Sequence, residues 1–370
     1  MKVVVRTDSS LLIGTGHMMR CLTLAEELRR NGVEVVFICR EHPGNIIERA
    51  VLKGFKVHRL PLDDDKLMND PDRSLYDRWR GVEKEYDAEQ TRAVLSVPES
   101  DADWLVVDHY GLDAAWEATM RSYVDGIMVI DDLANRRHDC DILLDQNLYE
   151  RLETRYDGLV PTGAHLLLGP EFVLLRDEFR QARRNLKKRN GRVGRLLISF
   201  GGTDTGNDTM KALAMATLPD FRDLTFEIVV GQTNPQAEKI KKVCAGLPRT
   251  GYHRNIDNMA QLMAGTDLCV GAGGTSTWER CCLGLPTVTL AVAENQVEVA
   301  RLSEKAGFAR YLGMNHEVDV DDICQAVREL VSNPEKLRKM STVGMELVDG
   351  RGADKVVKNI LKFVSVKKQG

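Results

Sequence analysis

No stretch of about 18 consecutive apolar residues occurs in the 370-residue chain, so no membrane-spanning helix is predicted. Metal-type cysteine spacing is missing too. The 8 cysteines, at positions 21, 39, 140, 244, 269, 281, 282 and 324, include no C-x-x-C pair, which argues against a zinc site or a disulfide framework. They sit mostly inside apolar runs and read as small buried hydrophobes. Proline is scarce, at 11 residues, and the 43% hydrophobic and 29% charged content excludes a disordered or fibrous chain. A formal net charge of −4 gives no overall footprint for nucleic acid or an anionic membrane. The start, Met1-Lys2-Val3-Val4-Val5-Arg6, lacks an apolar signal region, so the expected location is cytoplasmic, without membrane insertion.

What is present is an alternation of short apolar runs with amphipathic stretches. Residues 3–6, 34–39, 56–60, 104–107, 126–130, 142–144 and 166–168 read as strands, with helices at 17–31 and 44–53. Runs this apolar suit a parallel sheet covered on both faces. A polar stretch at 63–81 reads as an exposed excursion. Between 180 and 195, Arg180, Arg183, Arg184, Lys187, Lys188, Arg189, Arg192 and Arg195 crowd around two glycines, which reads as a solvated joint or helix face. Strands then resume at 196–200, 225–230, 267–270, 287–290 and 308–312, and helical patterns at 321–332, 334–348 and 354–363 close the chain. The predicted fold is α/β, with two facing Rossmann-like doubly wound domains, 1–185 and 193–370, and a cleft between them.

Two constellations carry the chemistry. After the first strand comes Gly14-Thr15-Gly16-His17-Met18-Met19-Arg20, where glycines permit close approach to a ligand and a helix N-terminus offers unpaired N–H groups. The positive helix end favours a neutral imidazole at His17, as a general base requires; the alternative is a histidine with only a capping role. Arg20, one turn later, has the fixed fork to hold an anionic or carbonyl-bearing substrate. With Met19 at the third glycine position, the loop is not a dinucleotide fingerprint. The second constellation is Gly271-Ala272-Gly273-Gly274-Thr275-Ser276-Thr277-Trp278-Glu279, in which bare amides and hydroxyls at a helix start meet a phosphate. Glu279 either takes two ribose hydroxyls or closes a capping box. Asn295 and Gln296, after another strand, can bind sugar hydroxyls or N-acetyl groups. Asp108, His109 and Tyr110 end a strand in a functional location, although Asp108 has a capping alternative. Asp131, Asp132, Asp139 and Asp141 raise a divalent metal, against the commoner use of such carboxylates as caps.

These motifs, with Val107-Asp108-His109-Tyr110-Gly111, Ile130-Asp131-Asp132-Leu133-Ala134, Asp145-Gln146-Asn147-Leu148, Leu168-Gly169-Pro170-Glu171-Phe172 and Ser199-Phe200-Gly201-Gly202-Thr203-Asp204, resemble the UDP-2,4-diacetamido-2,4,6-trideoxy-β-L-altropyranose hydrolase family of pseudaminic acid biosynthesis. The resemblance runs from residue 1 to about residue 312 and implies a glycosyltransferase-B type fold. It implies a UDP-sugar substrate, water as co-substrate, no cofactor and no metal. By it, His17 activates water for inverting attack at the anomeric carbon. Gly14, Gly16, Arg20, Asp108, Tyr110, Asn147, Asn255, Met259, Gly273, Gly274, Thr275, Ser276, Glu279, Asn295 and Gln296 are then the candidate substrate contacts, the 255–259 segment facing uracil. A glycosyltransferase with the same donor, a hydrolase of a related spore-coat sugar and a non-catalytic nucleotide-sugar binder remain as rivals.

Overall fold

The computed structural model of the chain describes residues 1–62, 68, 70–97 and 101–367. They form two units. The first comprises Met1–Asn147, Arg151–Leu174 and the C-terminal helix Gly352–Lys367, and the second Leu148–Glu150 and Leu175–Arg351.

The first unit holds β1 (Lys2–Thr7), β2 (Glu34–Arg40), β3 (Lys56–Leu60), β4 (Trp104–Asp108), β5 (Gly126–Ile130), β6 (Ile142–Asp145) and β7 (His165–Leu168). All pair in parallel in the order β3-β2-β1-β4-β5-β6-β7. Val3 and Val5 enter one core with Leu24, Leu28 and Trp104, while Val4 enters another with Val36, Leu105 and Trp116. That double burial explains why the strands read as continuous apolar runs. The chain order reverses between β1 and β4, the topological switch point at which such sheets bind ligands.

The second unit repeats the plan with β8 (Arg195–Ser199), β9 (Thr225–Val230), β10 (Thr250–Arg254), β11 (Leu268–Ala272), β12 (Thr287–Ala291) and β13 (Ala309–Met314), parallel in the order β10-β9-β8-β11-β12-β13. Its switch lies between β8 and β11, where a side chain on Gly271 would come within 2.4 Å of the Ser199 carbonyl oxygen.

Three expectations need correction. The division falls between Leu174 and Leu175, not at 186–192, and helix Gly352–Lys367 belongs to the first unit because Val356, Val357 and Ile360 complete the core around Leu24 and Leu28. The 63–81 stretch is more than an exposed excursion: residues 63–67 and 69 lie outside the described residues, but Leu75–Arg80 is a helix capped by Ser74. Its Arg80 donates to the carbonyls of Val82 and Gly111 at 2.8 and 2.9 Å. The basic run is not merely solvated either. Arg183 donates to the carbonyls of Cys282 and Met345 at 2.7 and 2.8 Å, and Arg189 to those of Thr266, Met263 and Leu283. Both guanidiniums thus satisfy carbonyls at helix C-termini, and burial lowers Arg189 to about 10. Replacing Arg189 by methionine, which keeps most of the stem, should cost the second unit about 1–3 kcal/mol; an unchanged Tm would contradict this.

All eight cysteines are buried and free. Among the described residues no helix is long and apolar enough to cross a membrane.

Candidate functional site

In the first unit the site is built on the switch point. Thr7 of β1 pairs with Asp108 of β4, and the loop after β1 turns back through Gly14, whose φ of +81° suits glycine, into helix Gly16–Arg30. Ser10 Oγ accepts from the amides of Leu12 and Ile13 at 3.1 and 2.8 Å, which shapes the loop and sets His17 in the first helical turn. His17 Nδ1 lies 2.6 Å from Asp108 Oδ1. Arg20 donates from Nε to Asp108 Oδ2 at 2.6 Å and from Nη2 to Oδ1 at 2.7 Å, a two-pronged clamp. Burial alone would raise the Asp108 carboxyl, but Arg20 and then His17 outweigh it and hold the group far below the usual carboxylate range. An ionised carboxylate only accepts, so the 2.6 Å contact requires a proton on His17 Nδ1. The Nε2 lone pair is therefore the one available to abstract a proton.

Around this pair stand Tyr110, whose ring meets that of His17 edge-on at 4.5 Å, and Trp79, stacked on Tyr110 at 5.3 Å. Asn147 donates to Asp132 Oδ2 at 3.2 Å. His17, Arg20, Asp108, Tyr110 and Asn147, far apart in sequence, thus converge. Arg20 also reaches Asp132 at 3.3 Å, and the buried Asp108 has both oxygens engaged by Arg20 and His17. His109 is not at the site: it is buried with Nε2 3.4 Å from Asp8 Oδ2, while Nδ1 accepts from the Gly111 amide.

Two members of the site lie outside the candidate substrate contacts. Trp79 comes from the excursion, and its neighbourhood is set only by tertiary packing. Asp132, weighed from sequence only as a metal ligand or cap, joins Arg20, Tyr110 and Asn147 through its carboxylate; its position two residues past β5 is the available signal. The neighbouring β6 ends in Asp145, pushed up to about 8 by burial and then by the Asp132 charge.

The other carboxylates weighed as metal ligands have other partners. Asp139 and Asp141 pair with Arg121, and Asp131 with Arg136 and His138. Among the described residues no group of three or more His, Cys, Asp or Glu is arranged to hold a metal. His138 lies between Glu117, at 2.8 Å, and Asp131. Burial lowers its affinity for a proton, but the hydrogen bonds to Asp131 and Glu117 prevail and push it up to about 9. A folded-state value raised above the unfolded one stabilises fully below the unfolded pKa of about 6.5 and is lost as pH rises through the folded value. His138→Gln should therefore remove a loss of Tm between pH 7 and 10 that the wild type displays; identical profiles would contradict this.

In the second unit, β11 leads through Gly273 and Gly274 into helix Ser276–Cys282. The Gly273 amide bonds to the Leu290 carbonyl at 3.0 Å, which removes it from the candidate phosphate donors. Gln296 lies beside both glycines, since added Cβ atoms would approach its side chain to 3.6 and 3.5 Å, and its Oε1 accepts from the Val292 amide at 3.1 Å. Thr275 and Asn295 are exposed, and Ser276 Oγ accepts from Arg280 at 3.1 Å. Glu279 is raised by burial despite Arg176 at 3.4 Å. Asn255, just past β10, holds a φ of +49°, and Met259 opens helix Met259–Ala264.

Residues 197–351 match the glycosyltransferase family 28 C-terminal domain. The UDP-2,4-diacetamido-2,4,6-trideoxy-beta-L-altropyranose hydrolase of Campylobacter jejuni is 26% identical over 83% of this chain and 98% of its own length. The spore coat polysaccharide biosynthesis protein SpsG of Bacillus subtilis is 23% identical over 96% of both chains. An uncharacterized protein of Methanocaldococcus jannaschii is 25% identical over 80% of this chain, which spans only 57% of that relative. Among solved structures, MurG of Acinetobacter baumannii superposes with a TM-score of 0.62 at 14% identity, covering 98% of this chain and all of the other. A UDP-GlcNAc 2-epimerase from Neisseria meningitidis bound to UDP-GlcNAc gives 0.61, also at 14%, with the same coverage. The chain is a two-domain α/β protein of the glycosyltransferase-B type whose sequence is similar to the UDP-2,4-diacetamido-2,4,6-trideoxy-β-L-altropyranose hydrolases.

Proposed function

We propose that the chain hydrolyses UDP-2,4-diacetamido-2,4,6-trideoxy-β-L-altropyranose to UDP and the free sugar. The observation that carries this reading is the His17–Asp108 pair, which fixes a proton on Nδ1 and leaves Nε2 as a base. Nε2 takes a proton from water as the water oxygen bonds to the anomeric carbon. The bond from that carbon to the phosphate oxygen breaks, and its electron pair leaves with UDP. Attack opposite the leaving group inverts the centre through an oxocarbenium-like state. The amides of Gly274, Thr275 and Ser276 and the hydroxyls of Thr275 and Ser276 take the departing charge. Glu279 takes the ribose hydroxyls, the 255–259 segment uracil, and Asn295 with Gln296 the sugar's polar groups. The similarity to the Campylobacter hydrolase supports this sugar, and the similarity to SpsG supports a related surface sugar as the alternative.

The glycosyltransferase family 28 match favours a second reading, in which an acceptor hydroxyl replaces water. Release of UDP from the UDP-sugar without acceptor, and its loss in Glu279→Ala through a raised KM, are the expected results. Turnover that begins only when an acceptor is added would assign a transferase.

A further inference from the structure

Asp132 has no part in the step just described, yet groups from helix Gly16–Arg30 and from the ends of β4 and β6 meet on its carboxylate. Oδ2 accepts from Arg20 Nη1 at 3.3 Å and from Asn147 Nδ2 at 3.2 Å, and Oδ1 accepts the Tyr110 hydroxyl. Its own carbonyl accepts from Arg155 Nη2 at 2.9 Å, so main chain and side chain are both fixed.

The groups it holds are those that border His17. Arg20 grips both oxygens of Asp108, and its Nη2 stands 3.2 Å from His17 Nδ1. The Tyr110 ring lies edge-on to the imidazole at 4.5 Å. A guanidinium held by Asp108 alone can tilt about that contact, and a tyrosine without a partner for its hydroxyl can turn away. A second carboxylate restrains both motions. We propose that Asp132 is a positioning residue, acting through Arg20 and Tyr110 to keep the His17 imidazole in the tautomer and orientation that present Nε2 to water. This rests on the reading of His17 as the base.

An acceptor-only group suits the task because Arg20 Nη1, Asn147 Nδ2 and the Tyr110 hydroxyl all donate. Asparagine at this position keeps one accepting oxygen, so it should recover part of what alanine loses.

The test compares the full-length wild type with Asp132→Ala, Asp132→Asn and Tyr110→Phe. It measures kcat and KM for the UDP-sugar, affinity for UDP, and the ¹⁵N shifts of the His17 ring, assigned with His17→Gln. A retained cooperative melting transition of the first unit reports that the mutated unit is folded, and UDP affinity reports the second unit. Asp132→Ala should lower kcat on the order of 10- to 10²-fold with KM within about twofold of wild type. It should also turn the Nδ1–H signature of His17 into a mixture of tautomers, with Asp132→Asn and Tyr110→Phe between the extremes. An Asp132→Ala protein with wild-type kcat, or one slowed with the His17 signature unchanged, overturns the proposal. If the wild type fails to hydrolyse the sugar, the proposed reaction fails, while the nitrogen signature still decides the role of Asp132.

Discussion

His17→Ala is expected to lower turnover of the UDP-sugar by ~10²–10⁴-fold, the usual contribution of a positioned general base. UDP affinity should stay unchanged, because the residues proposed to bind UDP lie in the second unit. The residue is nearly buried, at 6% exposure, but the apolar core beneath its helix is formed by Met18, Cys21, Leu22 and Ala25. Removing the imidazole therefore leaves the core intact and isolates the chemical loss. A variant that keeps full turnover would remove His17 from the mechanism; one that raises KM with kcat unchanged would make it a binding residue.

Asp108 is the second large effect, and it acts in two ways. Asp108→Ala leaves Arg20, 6% exposed, without the carboxylate that clamps it, and breaking a buried pair from one side costs about 3–5 kcal/mol. Asp108→Asn separates stability from catalysis. Its amide can present an oxygen to Arg20 and an N–H to His17 Nδ1, which favours the opposite tautomer and blocks Nε2 with a proton. Turnover should then fall on the order of 10²–10⁴-fold, with less loss of stability than in Asp108→Ala. Because the folded carboxyl lies below its unfolded value, its contribution is present above the unfolded pKa and disappears as pH falls through the folded one. Equal turnover in Asp108→Asn and wild type would show that this carboxylate does not set the imidazole.

Much of this is legible in the sequence where local pattern and burial agree. The runs 126–130 and 225–230 coincide with β5 and β9, since strands buried on both faces carry strong apolar signals, and 56–60 coincides with β3 although that strand is a half-exposed edge. β10 escapes the pattern because it is a polar, half-exposed edge strand. Helix Gly352–Lys367 is legible as a helix, but an amphipathic stripe does not say which core it completes. At the site, His17 stands out from its place at a glycine-rich helix start. Arg20 and Asp108 stand out as residues but not as partners, because their mutual clamp spans 88 positions. The same reason hides the role of Asp132, whose contacts reach back 112 residues to Arg20.

The most direct test of the central claim is hydrolysis of UDP-2,4-diacetamido-2,4,6-trideoxy-β-L-altropyranose in ¹⁸O-labelled water, with EDTA and without acceptor, by wild type and His17→Ala. Label in the free sugar, formed by the wild type and lost with His17, is the expected result. Label in UDP would mean attack at phosphorus and would contradict the mechanism.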